Sequence, residues 1–340
     1  MRAAIYNPYL DTLGGGELYT MSVARLLLER GYVVDVQWRD VDIKKRIEDR
    51  FNLKLKEIKI VNNINRGDGY DLCFWLSDGS IPILRSRNNI LHFQFPFKNV
   101  GGRTLINKMK LARIRHIVCN SNFTKSHIDK EYSVNSTVIY PPVNTSKFKP
   151  SKKENVIFYL GRFSNLAQQK RQDILVEVFK KFSRKNPGWR LVLAGGAEVG
   201  AKEFLEKLKK RSVGFNIEIL ESPDFREVKR LYGVSKFFWS AAGYGVDLES
   251  HPEKVEHFGI SVVEAMASGC VPVVFSAGGY KEIIEDSING YLWSKKKELL
   301  TKTQNFLYDP KLWRKMSIAG RKDSGKYSYE EFAKNFKSLL

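Results

Sequence analysis

Glu256 to Gly279 reads EHFGISVVEAMASGCVPVVFSAGG. A helical pattern around residues 259–268 runs directly into a strand-like segment, VPVVFS, that ends on a glycine pair. A helix feeding a wholly apolar strand is the repeating unit of a parallel sheet covered on both faces. Within this packed stretch Glu264 is the only formally charged side chain from His257 to Tyr280. An isolated carboxylate in such surroundings is costly unless something hydrogen-bonds it. Glu264 therefore needs a partner, or a raised pKa that leaves it neutral.

Working outward, short runs rich in Val, Ile and aromatics alternate with helical patterns along the whole chain. The first half offers AAIYNP, VVDVQW, KEIKIV, DLCFWL, ILHFQF, IVCNSN and TVIYPP as strands, with ELYTMSVARLLLERG as its first clear helix. At Pro141-Pro142 the alternation breaks into a polar stretch, NTSKFKPSKKEN, that reads as a linker. The second half then gives VIFYLG, RLVLAGG, IEILES, KFFWSA and VPVVFS as strands, with helices around 170–185, 200–212, 224–233 and 259–268. The expected architecture is α/β, with two doubly wound domains, 1–150 and 151–322. Open sheets of this kind bind ligands beyond the carboxyl ends of their strands, so the two domains are expected to face a central cleft.

The 340 residues suit two cores better than one, and 43% hydrophobic residues is ordinary for a soluble protein. No apolar run is long enough for a membrane-spanning helix, and the opening MRAAIYNPYL lacks a signal peptide's apolar stretch. A cytoplasmic location is expected. Cys73, Cys119 and Cys270 stand singly in apolar surroundings, which fits reduced, buried thiols rather than a disulfide framework or metal cluster. The net charge of +20 is shared evenly, with 24 Lys/Arg against 14 Asp/Glu in residues 1–150 and 33 against 23 in the remainder. Such a balance suits an anionic partner, whether a phosphate-bearing ligand, an acidic membrane surface or nucleic acid; a solvated, lysine-rich surface is the alternative.

The glycines mark where a phosphate could lie. DTLGGGELYT, Asp11 to Thr20, follows the first strand and opens the first helix, so its N–H groups and the helix's positive end suit an oxyanion; as a tight turn it needs no ligand. The second domain repeats the arrangement, with LGRF, AGG and SAGG after three of its strands. Arg162 ends the first of these strands and Lys170 starts the next helix, one able to grip phosphate bidentately and the other supplying a compact charge.

Glu256 and Glu264, separated by seven residues in EHFGISVVEAM, together with SAGGYKEII, the upstream YLGRF and KRQDILVEVF, and the glycine-rich loop after the first strand, resemble the retaining glycosyltransferases of family four, which have the GT-B fold. The likeness covers almost the whole chain. It includes YSYEEFAKNFKSLL, within 323–340, which is similar to the family's last helix crossing back onto the first domain. The resemblance implies a nucleotide-diphosphate sugar as donor, no cofactor and no metal. It implies that Arg162 and Lys170 neutralise the diphosphate, that Glu264 accepts from the ribose hydroxyls, and that Glu256, Phe258, Gly259 and Ile260 line the donor. It further implies that Gly15 and Gly16 let the backbone approach the diphosphate and that His92 stands near the donor sugar, with His127 and His116 as alternatives. A vicinal diol would supply Glu264 with donors otherwise missing from its neighbourhood. SNLAQQ carries an insertion relative to the family spacing, which leaves Lys170 and Arg171 open as the second cation. A DxD sequence, Asp40-Val41-Asp42, is explained by a solvated loop.

EHFGISVVEAM also resembles mannosyltransferases that extend lipid-linked oligosaccharides, which implies GDP-mannose as donor and a glycan or lipid-linked acceptor. Lys98 to Val118 carries six Lys/Arg and no acid beside Leu105, Ile106, Met109, Ala112 and Ile117. The segment fits a basic amphipathic surface resting on anionic lipid, or an ordinary helix packing an apolar stripe on the sheet. Two rival readings are a GT-B enzyme that epimerises nucleotide-sugars without transfer, and a nucleic-acid-binding protein. No DNA- or RNA-reading motif is present, so no nucleic acid is expected.

Overall fold

The computed structural model describes residues 1–51, 55, 57–164, 170–198 and 200–340. The chain divides into two compact units, Met1–Pro142 with Tyr329–Leu340, and Val143–Ser328.

The first unit is built on seven parallel strands: β1 (Arg2–Tyr6), β2 (Val33–Gln37), β3 (Lys59–Val61), β4 (Leu72–Leu76), β5 (Asn88–Phe93), β6 (His116–Cys119) and β7 (Thr137–Val138). Their order is β3-β2-β1-β4-β5-β6-β7. Its helices include α1 (Gly15–Glu29), α2 (Ile43–Phe51), α3 (Leu105–Leu111) and α4 (Asn122–Tyr132). Successive strand residues point to opposite faces, so Ala3 and Ile5 join Tyr19, Val23 and Leu27 of α1, while Ala4 and Cys73 meet Ile64 and Leu84 on the other face. Farther along that second face, Leu91 and Phe93 pack with Leu111 of α3 and with Ile128 and Tyr132 of α4.

The second unit has six parallel strands: β8 (Glu154–Leu160), β9 (Arg190–Gly195), β10 (Ile217–Glu221), β11 (Ser235–Ser240), β12 (Val271–Phe275) and β13 (Tyr291–Trp293), ordered β10-β9-β8-β11-β12-β13. Its helices are α5 (Gln172–Ser183), α6 (Lys202–Ser212), α7 (Phe225–Val234), α8 (Ile260–Ala267), α9 (Tyr280–Ile283), α10 (Lys296–Tyr308) and α11 (Pro310–Ser324). All strands read from the sequence are present. β13 was not read, because three residues are too few to show a period. In each sheet the connections change direction beside the first strand, between β1 and β4 and between β8 and β11, which makes these the switch points.

The last helix, α12 (Tyr329–Lys337), packs in the first unit. Phe332 and Phe336 bury against α1 and β4, and Phe332 meets Tyr19 edge-on at 5.1 Å between ring centres. The Asn88 amide donates to the Leu339 carbonyl at 2.8 Å. The polar stretch after Pro142 is not a free linker. Val143 N–H donates to the Tyr327 carbonyl at 2.7 Å, and buried Phe148 packs edge-on against Phe225 and Tyr232.

Candidate functional site

The β8–β11 switch point gathers most of the singled-out residues of the second unit. Gly161 and Gly195 bring the ends of β8 and β9 so close that a side chain on Gly195 would strike the Gly161 carbonyl. Phe163 N–H donates to the Gly196 carbonyl at 2.8 Å, which fixes the backbone after β8. Arg162 projects from this rigid corner with its side chain 59% exposed, its guanidinium 2.7 Å from Glu198. The Gln172 amide donates to the Arg162 carbonyl at 2.9 Å. Backbone position is thus set on both sides, while the guanidinium itself stays exposed, paired with half-buried Glu198.

Lys170 is buried, and its ammonium lies 2.6 Å from a Glu256 carboxylate oxygen. Arg171 is engaged elsewhere. Its guanidinium forks onto Asp173 at 3.0 and 3.2 Å and donates to the Tyr244 carbonyl at 2.7 Å, pinning the start of α5. Of the two cations the spacing left open, Lys170 is the one that meets Glu256. Residues 165–169, which hold most of the insertion, lie outside the described residues.

Glu256 follows β11 and is clasped by glycines. Gly279 N–H donates to the Glu256 carbonyl at 2.9 Å, and a side chain on Gly278 or Gly279 would collide with the backbone of 256–258. The SAGG loop is therefore glycine-rich because another backbone passes against it. Burial pushes the Glu256 carboxyl up, but the charge and hydrogen bond of Lys170, helped by His257 and Arg162, hold it below the usual carboxylate range. Tyr159 and Tyr280 bring buried hydroxyls toward the same carboxylate. Burial, then the Glu256 charge, pushes both well above the usual phenol range, so both stay protonated. Tyr280 also meets Ser240 at 2.9 Å. Neither tyrosine was singled out from the sequence; Tyr280, directly after SAGG, was the more legible of the two.

Glu264 lies on α8, half-buried, and the structure corrects one premise about it. The Tyr232 hydroxyl from α7 stands 3.0 Å from a Glu264 oxygen and 3.0 Å from the Ser261 carbonyl. A donor thus exists within the fold, across a sequence separation that no local pattern reveals. Gly259, at φ +124°, caps α8 in a backbone region that other residues resist, and an added Cβ would sit 2.7 Å from the Tyr280 ring. Phe258 is buried edge-on against Tyr327, and half-buried Ile260 opens α8.

The first unit's residues are placed differently. Gly15 and Gly16 open α1, but the loop already has an internal anion. Buried Glu17 accepts from Gly14 N–H at 2.7 Å and from the Thr12 hydroxyl at 2.8 Å. A side chain on Gly16 would collide with Gln94. His92 has no solvent exposure; it stacks on Tyr19 at 4.0 Å and tilts against Phe74. Its Nδ1 lies 3.1 Å from the Val118 carbonyl, and Nε2 has no hydrogen-bond partner among the described residues. Burial lowers its pKa to about 3, so the ring is neutral at physiological pH and sits among the core rings of Tyr19 and Phe74. His127 is held on α4 by the Phe123 carbonyl at 2.9 Å, and His116 is half-buried on β6. Asp40 caps its own turn, accepting from Asp42 N–H at 2.9 Å in an exposed loop.

Two units with six and seven parallel strands, each switching direction beside its first strand, define the GT-B class. HepE from Anabaena, solved with UDP and glucose, shares this fold with a TM-score of 0.77, covering 100% of this chain and 99% of that one at 16% identity. Residues 143–323 match the family described as glycosyl transferases group 1, and the chain belongs to that family. It is 23% identical over 244 residues to a D-inositol 3-phosphate glycosyltransferase of Segniliparus rotundus, covering 66% of this chain and 51% of that one. It is 26% identical over 241 residues to the GDP-Man:Man(3)GlcNAc(2)-PP-Dol alpha-1,2-mannosyltransferase of Dictyostelium discoideum, covering 65% and 46%. The matched region thus spans about half the length of these relatives. Among the described residues no helix is long and apolar enough to cross a membrane.

Proposed function

We propose that the chain transfers a hexose, mannose in the first instance, from a nucleotide-diphosphate donor such as GDP-mannose to a hydroxyl of a glycan or lipid-linked acceptor, with retention at the anomeric carbon and without a metal. The pair formed by buried Lys170 and half-buried Glu256, beside Arg162 at the β8–β11 switch point, carries this reading. Within the protein the two charges satisfy each other. A donor divides them: its diphosphate draws the Lys170 ammonium and the exposed Arg162 guanidinium, while sugar hydroxyls donate to Glu256. Glu264, held by Tyr232, accepts from the ribose diol. Breaking the anomeric carbon–oxygen bond leaves negative charge on the departing diphosphate, where Arg162 and Lys170 stabilise it more strongly than in the ground state. The likeness to the Dictyostelium discoideum GDP-Man:Man(3)GlcNAc(2)-PP-Dol alpha-1,2-mannosyltransferase favours a mannose donor. The three cysteines are free and buried, which suits a reducing cytoplasm.

A thermal-shift panel of nucleotide-sugars tests the donor, because a ligand at 100 times its Kd stabilises by about 2.7 kcal/mol. GDP-mannose is expected to give the largest shift, with or without chelator. Product analysis by NMR is then expected to show the donor's anomeric configuration kept. If no nucleotide-sugar moves the transition, the reading falls; an epimerised free nucleotide-sugar as the product would replace transfer with epimerisation.

A further inference from the structure

The segment Lys98–Val118 divides: Ile117 lies on β6 and packs against the core, whereas α3 turns most of its apolar residues away from it. Leu111 alone of the α3 residues is buried, joining Phe93 and Tyr132 in the core. Leu105, Ile106 and Met109 are 74%, 66% and 66% exposed. Leu105 and Met109 stand one turn apart with Ile106 beside them, on the side of the helix opposite Leu111. Lys108 and Lys110 flank this apolar face, and Arg113 and Arg115 follow it. Scattered exposed apolar residues are ordinary; three large ones on one face, flanked by Lys108 and Lys110 in a stretch with no acid from Lys98 to Val118, mark an interaction surface.

The platform is held firmly. The Glu131 carboxylate accepts from Asn99, Val100 and Gly102 N–H at 2.9, 3.0 and 3.1 Å, and Arg103 donates to the Lys130 carbonyl. Thr104 caps α3 by accepting from Asn107 N–H. The apolar side chains are therefore presented by an ordered element. Among the described residues, Arg103, Lys108, Lys110, Arg113 and Arg115 have no carboxylate within ion-pair distance. A second copy docking by this same face would bring like charges together. An anionic fluid surface meets both requirements: lipid phosphates neutralise the cations, and the acyl boundary closes around protruding apolar side chains.

We propose that α3 docks the protein on an anionic bilayer, with Leu105, Ile106 and Met109 entering the acyl boundary and Lys108, Lys110, Arg113 and Arg115 on the phosphates. A lipid-linked acceptor as the reason for docking rests on the transferase reading; the docking itself does not. The test is co-sedimentation with vesicles of phosphatidylglycerol and phosphatidylcholine, and of phosphatidylcholine alone, at low and physiological salt. Wild type is expected to bind the mixed vesicles in a salt-sensitive way and to leave neutral ones in solution. Each basic side chain is worth roughly a fivefold change in partition, so Lys108→Gln/Lys110→Gln/Arg113→Gln/Arg115→Gln is expected to lose about a hundredfold or more. Leu105→Gln/Ile106→Gln/Met109→Gln is expected to bind more weakly while keeping the salt dependence. Both variants should retain nucleotide-sugar stabilisation and the wild-type unfolding transition, which separates this inference from the donor site. Equal binding to neutral vesicles, no binding at all, or unchanged binding by both variants overturns it. Concentration-dependent dimers abolished by the apolar variant would overturn it in favour of a second copy.

Discussion

Lys170 and Glu256 each make the other tolerable: the ammonium relieves a carboxylate that burial alone would raise, at a contact of 2.6 Å. Removing the ammonium leaves a half-buried carboxylate without its main counter-charge, so Lys170→Met is expected to destabilise the fold by about 3 kcal/mol, the low end for a broken buried pair, at neutral pH. Glu256 is held below its ordinary value in the folded state, so its stabilising contribution is present above the unfolded pKa and fades as pH falls through the folded one. The stability gap between wild type and Lys170→Met should therefore be wide at pH 7 and narrow in acid, read by urea unfolding. A gap of the same size at both would assign the loss to packing. Arg162 behaves oppositely, because its side chain is exposed and its ion pair with Glu198 is worth little to the fold. Arg162→Ala is expected to lower turnover about a hundredfold while leaving unfolding unchanged within about 0.5 kcal/mol. Near-normal turnover would take Arg162 out of the site. Glu264→Gln keeps shape but weakens the acceptor, and nucleotide affinity should fall by roughly 1.5–3 kcal/mol on calorimetric titration. At this scale the sequence exposed the unusual groups and hid their partners. Glu264 stands out in an apolar run, but Tyr232 comes to it from another helix.

The loop between β12 and α9 shows glycines that answer a close backbone approach rather than turn formation alone. Gly279 has an ordinary φ of −65°, so alanine there meets no backbone penalty; its Cβ instead reaches 2.5 Å from the His257 carbonyl and strikes Phe258. Gly279→Ala is expected to cost about 1–3 kcal/mol by overpacking and to weaken donor binding by shifting Glu256. Donor affinity equal to wild type would show that the 256–258 segment yields without moving the carboxylate. Strand existence was legible from apolar runs bounded by glycine and proline, but the residues a helix exposes were not. The pattern Leu105, Ile106 and Met109 is the same whether the face meets a sheet or water. Only the position of Leu111 in the core fixes the rotation of α3 and turns the other three outward.

Across the whole chain, the last helix returns to close the first unit's core, and Phe336 is completely buried there beside Phe74. Phe336→Ala is expected to cost that unit about 3–5 kcal/mol, visible as lost hydrogen-exchange protection in α1 and β1 but not in β8. Equal loss in both units would mean that they unfold as one. The sequence by itself determined the two α/β halves, their parallel strands and the surplus of positive charge, because these follow from residue period, strand length and composition, which are local or additive properties. Its motifs also singled out Arg162, Lys170, Glu256 and Glu264. Tertiary structure alone decided which of those groups meet. His92 looks like a strand-end histidine in sequence, yet the rings of Tyr19 and Phe74 enclose it, and the Gly14 amide that suited a ligand is taken by Glu17. Burial and partner choice depend on elements far apart in the chain, and packing, unlike period, has no trace in a local stretch of residues.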